Sequence, residues 1–211
     1  MGNRYQDRHQ YFDEMVETST AFYVDYLRQF IPIAEGIRVL EVGCGEGGNL
    51  LPFALIGCEV TGVDFSGKKI ENARNYFQVN GAEGVFICAD FFDFPVQDKR
   101  FDVILVHDVI EHIAPEDKRR FLERIHTFLA PKGVAFLAFP AWQMPFGGHQ
   151  QTCIRKGVRV LPWIHLLPMP VYRGILRPMR LRLGLDRIPY LRNWFSTSCW
   201  YVIRRTFICG K

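Results

Sequence analysis

The chemistry of this chain gathers in a few short stretches. At residues 39–51, VLEVGCGEGGNLL, glycine stands at 43, 45, 47 and 48, with Glu41 just upstream. Glycine lets a backbone turn sharply and bring its amides close to a ligand. Gly43-x-Gly45-x-x-Gly48 also satisfies the dinucleotide spacing, a weak signal by itself. Asp64 stands in VTGVDFS about 20 residues on, where a carboxylate can accept hydrogen bonds from two ribose hydroxyls. Asp90 closes ICAD, and VHDVIEHI sets His107, Asp108, Glu111 and His112 close together. His149 lies in FPAWQMPFGGHQQ. Histidine is the side chain best tuned to accept a proton near neutrality. Glycines, a ribose-type acid and nearby proton acceptors together imply an enzyme that holds an adenosine-bearing ligand.

These residues need a frame. Five β-branched runs, IRVLEV (37–42), CEVTGV (58–63), VFICA (85–89), FDVILVH (101–107) and GVAFLAF (133–139), are almost continuously apolar. That pattern marks strands covered on both faces of a parallel sheet. Helix patterns lie between them at 48–56, 67–79 and 116–129. The last carries a stripe of Phe121, Leu122, Ile125, Phe128 and Leu129 and is stopped by APKG. Alternation of this kind predicts right-handed crossovers and a doubly wound, three-layer α/β sandwich. Amphipathic helices are expected over 9–30 and a last strand near SCWYVIRR (198–205). The chain reads as one domain, 1–211, with N-terminal helices in 1–36 and a substrate-side insertion at 141–197. In open sheets of this type ligands sit at the carboxyl ends of the strands, where every candidate above falls.

Composition narrows the partners. The 211 residues carry a net charge of +4, yet residues 151–211 hold twelve Lys/Arg and one acid, Asp186. A basic segment beside an acidic body suggests an anionic partner. RVLPWIHLLPMPVYRGILRPMRLRLGL mixes Trp, Leu and Ile with Arg, as interfacial segments do. Peripheral membrane contact through 157–185 and an anionic or lipid-like small-molecule substrate are therefore expected. Nucleic acid is not: the aromatics there lack the pattern of single-strand binders, and Asn/Asp-Pro-Pro-Tyr is missing. Cysteines at 44, 58, 88, 153, 199 and 209 have no metal-site spacing, which suits reduced thiols in a cytoplasmic protein. No signal-peptide or myristoylation pattern opens the chain, and VLPWIHLLPMPV (160–171) is too short to span a bilayer.

The ordered set VLEVGCGEG, VTGVDFS, ICADFFDF and FDVILVHDVIEHI resembles the class I S-adenosylmethionine-dependent methyltransferases over about residues 37–140. The resemblance implies a mainly parallel seven-stranded sheet with an antiparallel last strand, and S-adenosylmethionine as cofactor. It assigns Glu41 and the Gly43–Gly47 backbone to the methionine end and Asp64 to the ribose. Phe65 would flank the adenine, Asp90 would accept the adenine amino hydrogen, and His107 and Asp108 would lie by the sulfonium and amino-acid end. Cys44, Gly45, Ser66 and Phe91 fall within the same motifs and, with Asn49 just after the first, join the expected cofactor shell. Gly48 reads as incidental.

Charge agrees with this assignment. A nicotinamide dinucleotide brings a pyrophosphate, which Glu41 would repel, whereas a sulfonium and an ammonium gain from acidic neighbours. A Tyr-x-x-x-Lys pair, used in short-chain dehydrogenases, is also missing. Methyl transfer is an in-line displacement that needs a base only for a weakly acidic acceptor. His149 is the expected base or substrate-binding group, with Asp108 as its catalytic companion and Trp142 and Phe146 as pocket walls. Asp108-x-x-Glu111-His112 with His149 resembles the Glu-x-x-Glu-His cluster that binds magnesium in some relatives, among them certain quinone O-methyltransferases. No metal is assigned to the chain. The expected function is methyl transfer to a small molecule, at oxygen. An NAD-dependent oxidoreductase and a non-catalytic cofactor-binding module are the alternatives.

Overall fold

The computed structural model describes residues 8–95, 100–139, 162–168, 170–171 and 200–204. It falls into two compact units, Met1–Ala138 with Trp200–Lys211, and Phe139–Cys199. In the second unit a 3₁₀ turn, Ile164–Leu166, is described.

The first unit is built on a sheet of β1 (Arg38–Val42), β2 (Glu59–Asp64), β3 (Val85–Cys88), β4 (Phe101–His107), β5 (Leu129–Ala138) and β6 (Trp200–Arg204). The order is β3-β2-β1-β4-β5-β6. The first five strands run parallel and β6 runs antiparallel to β5. Among the described residues the sheet thus has six strands, not the seven expected. Val39, Val103 and Ile104 are fully buried, as nearly continuous apolar strands require. The strand order reverses between β1 and β4, so a crevice opens outside their carboxyl ends.

Helices α3 (Leu51–Ile56), α4 (Gly67–Val79) and α5 (Pro115–Phe128) fill the crossovers. The periodicity predicts a helix from 48, but it starts at Leu51: Gly47 sits at φ +80°, and Leu50 closes a turn onto its carbonyl. Gly57, at φ +98°, ends α3 by donating to the Ala54 carbonyl. Pro115 opens α5, with Glu116 and Asp117 in its first turn, where the helix dipole favours acids. Phe121, Ile125 and Phe128 form its buried stripe. Leu129, expected in the helix, already belongs to β5, and APKG forms the irregular start of that strand rather than a loop.

The N-terminal run is a single helical path: α1 (Arg8–Thr18), a π-helical turn (Ser19–Tyr23) and α2 (Val24–Leu27). Phe12, Ser19, Tyr23 and Leu27 recur at helical spacing and are all buried. No described helix is long and apolar enough to cross a membrane.

Candidate cofactor site at the carboxyl edge of the sheet

The loop from Gly43 to Leu50 follows β1 directly. Its first two amides, of Gly43 and Cys44, donate to the Val63 carbonyl at 2.8 and 3.1 Å, tying the loop to the end of β2. Gly43, Gly45 and Gly47 take positive φ values of 72, 55 and 80°, a region costly for residues with a Cβ. Their surroundings differ. A Cβ on Gly43 would meet Val109, and one on Gly47 would meet Phe86 and Phe77, but one on Gly45 would meet nothing within 4 Å. Gly45 is therefore where the backbone is open to a ligand.

Asp64, only 4% exposed, clamps this opening. One carboxylate oxygen accepts the Gly45 amide at 3.0 Å and the other accepts the Ser66 amide at 2.8 Å. Phe65 next to it projects with 80% of its surface exposed, an aromatic face with no core to fill. Ser66 contributes its backbone and precedes α4 without a side-chain cap. Asp90, two residues past β3, is exposed and caps its own turn, accepting the Phe92 amide at 2.8 Å.

Beneath the loop lies a buried polar chain. Glu41, 1% exposed, accepts from the Asn49 side-chain amide at 2.7 Å through Oε1. Its Oε2 and the Asn49 Oδ1 are both buried without a donor. The Asn49 amide nitrogen also lies 3.4 Å from His107 Nδ1, and His107 Nε2 lies 3.8 Å from Asp108 Oδ2. The chain runs from an enclosed carboxyl on β1 to the exposed Asp108 at the end of β4. Asp108 holds φ +51°, a strained conformation for a residue with a side chain. Burial lowers the His107 pKa, with Asp108 opposing, which favours a neutral imidazole.

Burial pushes the Glu41 carboxyl up to about 8, with Asn49 opposing and Asp64 adding to the rise. Because the folded value lies above the ordinary 4.5, the folded state keeps a proton that the unfolded chain releases. That stabilisation is complete below the unfolded value and is lost as pH rises through about 8. The melting temperature should therefore decline less steeply from about pH 5 to about pH 8 in Glu41→Gln than in wild type. Parallel declines in the two proteins would reject a protonated, buried Glu41.

Two expected cofactor residues are placed elsewhere. The Phe91 ring, 6% exposed, packs at 5.4 Å from Phe121 and 5.6 Å from Phe128. The turn after β3 points it inward to cover α5. The Cys44 thiol also turns inward, toward Gly62 of β2, where a Cβ would come within 2.7 Å of its sulfur. Burial raises its pKa, so it is an inert packing group whose backbone alone shapes the loop. Gly48 has a packing role, since a Cβ there would meet the Phe12 carbonyl oxygen and Met15 of α1. The dinucleotide-like spacing ends in a packing glycine.

Among the described residues no three His, Cys, Asp or Glu side chains converge as metal ligands. Asp108 and Glu111 differ in setting: Asp108 is exposed, whereas both Glu111 carboxylate oxygens are enclosed. Burial raises the Glu111 carboxyl to about 7, with Asp108 adding and the buried Lys118 opposing. His149, with Trp142, Phe146, Gly147 and Gly148, lies outside the described residues, as does most of 157–185. The sequence does not signal the N-terminal contacts with the loop, because helical spacing reveals a buried face but not what it covers. Arg8 pairs with Glu46, Ser19 donates to the Asn49 carbonyl at 2.7 Å, and the Tyr23 ring meets His107 edge-on at 5.9 Å.

Known proteins share this fold and part of this sequence. Residues 39–133 match the family described as a methyltransferase domain. Over 104 residues the chain is 36% identical to the ubiquinone biosynthesis O-methyltransferase of Chelativorans sp. (strain BNC1), covering 49% of this chain and 40% of that protein. The enzyme of the same name from Mesorhizobium japonicum is 37% identical over 109 residues, covering 49% and 41%. The chain thus spans about two fifths of the length of these curated relatives. Among solved structures, an S-adenosylmethionine-dependent methyltransferase from Clostridium acetobutylicum shares the fold with a TM-score of 0.56 at 17% identity, covering 66% of this chain and 59% of that one. Residues 39–133 are thus similar to the methyltransferase domain family, and the fold is that of an S-adenosylmethionine-dependent methyltransferase.

Proposed function

We propose that this protein transfers the methyl group of S-adenosylmethionine to an oxygen of a small molecule, anionic or lipid-like in character. The observation that carries the cofactor is the pair of buried acceptors, Glu41 Oε2 and Asn49 Oδ1, that no donor satisfies. A ligand ammonium is their complement, and a pyrophosphate is not. S-adenosylmethionine supplies an electrophilic methyl on a sulfonium when bound. In this reading Glu41 and Asn49 take the amino-acid end, and the Gly45 backbone allows close approach. Asp64 keeps a lone pair on each oxygen for the ribose hydroxyls, Phe65 offers a stacking face to the adenine, and Asp90 accepts from its amino group. The neutral His107 and exposed Asp108 border the reacting end without adding a positive charge beside a sulfonium.

The acceptor rests on separate observations. The similarity to ubiquinone biosynthesis O-methyltransferases supports oxygen, and His149 is the proposed base for its proton. Segment 157–185 is the proposed contact with an anionic membrane surface. Free thiols at Cys44, Cys58 and Cys88 support a cytoplasmic location.

S-adenosylmethionine and S-adenosylhomocysteine should each raise the melting temperature, by mass action on the folded state, and NAD should not. Tritium-labelled S-adenosylmethionine should then label a catechol or hydroquinone acceptor. Stabilisation by NAD alone would overturn the cofactor. Stabilisation without transfer to any oxygen acceptor would favour the non-catalytic module.

A further inference from the structure

The N-terminal helical run touches two members of the buried polar chain that is proposed to receive the cofactor, Asn49 and His107. Asn49 is the hub of that chain, and its conformation is fixed from both sides. Its amide nitrogen reaches Glu41 at 2.7 Å and lies 3.4 Å from His107. Its own carbonyl oxygen accepts the Ser19 hydroxyl at 2.7 Å, with both residues buried. Ser19 opens the π-helical turn, and Tyr23 ends it with its ring edge 5.9 Å from the His107 ring. Single π turns within helices are rare and recur at functional sites. Here the turn carries both contacts, Ser19 at one end and Tyr23 at the other. Upstream, Arg8 of α1 pairs with Glu46, and the Phe12 carbonyl packs on Gly48.

We propose that the π turn Ser19–Tyr23 is part of the cofactor site, with Ser19 and Tyr23 as positioning residues that hold Asn49 and His107 toward the cofactor's amino-acid end. Neither touches the cofactor. Ser19 acts through the Asn49 backbone: without its hydrogen bond the turn at 48–50 can rotate, and the Asn49 amide leaves Glu41. The neighbours of Asn49 are held separately, Gly48 by packing on Phe12 and Leu50 by its bond to the Gly47 carbonyl, and the Ser19 hydroxyl is what holds the Asn49 carbonyl itself. Tyr23 limits the imidazole from the other side. This inference rests on the reading of the glycine loop as an S-adenosylmethionine cradle.

The test is calorimetric titration of full-length protein with S-adenosylhomocysteine. Loss of one buried hydrogen bond that orients a ligand group should weaken binding about tenfold in Ser19→Ala. Ser19→Thr, which keeps the donor, should restore most of the affinity. Ser19→Ala also leaves the buried Asn49 carbonyl without its donor, so the ligand-free melting temperature should fall by a few degrees and affinity is read on the folded protein. Ser19→Cys keeps the volume with a weaker donor and serves if Ser19→Ala does not fold; an intermediate affinity is expected. Wild type that fails to bind S-adenosylhomocysteine would overturn the cofactor reading itself. Wild-type binding matched by Ser19→Ala, or by Ser19→Cys in its place, would overturn the positioning role alone. So would a Ser19→Thr protein as weak as Ser19→Ala.

Discussion

An Asp64→Ala protein should lose affinity for S-adenosylhomocysteine by at least a hundredfold, about 3 kcal/mol, while remaining folded. The carboxylate holds the Gly45 amide at 3.0 Å and the Ser66 amide at 2.8 Å, so it fixes both lips of the opening at once. Each such charge-assisted bond contributes about 1.5–3 kcal/mol, and truncation leaves two amides to find water. The stability loss should fall near the lower end, because Gly45 borders open space that water can enter. The affinity loss should be larger, because the proposed ribose acceptor and the loop geometry go together. Asp64→Asn separates the two effects: it keeps one acceptor oxygen for either amide and removes the charge. Titration calorimetry and urea denaturation on the three proteins decide the matter. Binding by Asp64→Ala within threefold of wild type would end the proposed role of this residue.

Alanine at Gly43 and at Gly45 should have opposite profiles. Both positions require positive φ, which costs an L-residue about 1–2 kcal/mol. At Gly43 the new Cβ would also lie 2.4 Å from Val109 Cγ2, an overpacking cost of about 1–3 kcal/mol more. Gly43→Ala should therefore lose about 2–5 kcal/mol of stability, a large part of what a domain of this size has. A second change, Val109→Ala, removes the clash but not the strain and should recover only part. Gly45→Ala meets nothing, so it should cost little beyond the strain in stability. Its methyl would stand in the open approach to the ligand and should weaken cofactor binding more than tenfold. Urea midpoints and S-adenosylhomocysteine titrations measure both axes. Equal losses of stability in the two variants would show that the loop does not distinguish packing from approach.

Much of the site is legible in the residues alone. Glu41, Asp64, Asp90 and His107 stand at the ends of apolar runs, and a doubly wound sheet brings such ends to one edge whatever the side chains between them. Phe91 and Cys44 show the limit of that inference. A motif position states where the backbone passes, but one peptide unit decides which way a side chain turns. Phe91 lies one residue past Asp90 and points into α5, and Cys44 lies one residue before Gly45 and points under Gly62. The packing role of Gly48 was not legible for a related reason, since Phe12, which excludes a Cβ there, is 36 positions away.

The sequence by itself determined the alternation of strands and helices, the acidic character of the strand ends, and the argument from Glu41 against a pyrophosphate. Those follow from period, residue type and charge, which are local. Only the tertiary structure decided that Glu41 is enclosed, that Asp64 clamps Gly45 and Ser66, and that the N-terminal helical run packs against Asn49 and His107. Burial and hydrogen-bond partnership are set by segments distant in the chain, and no local pattern in either segment records the other.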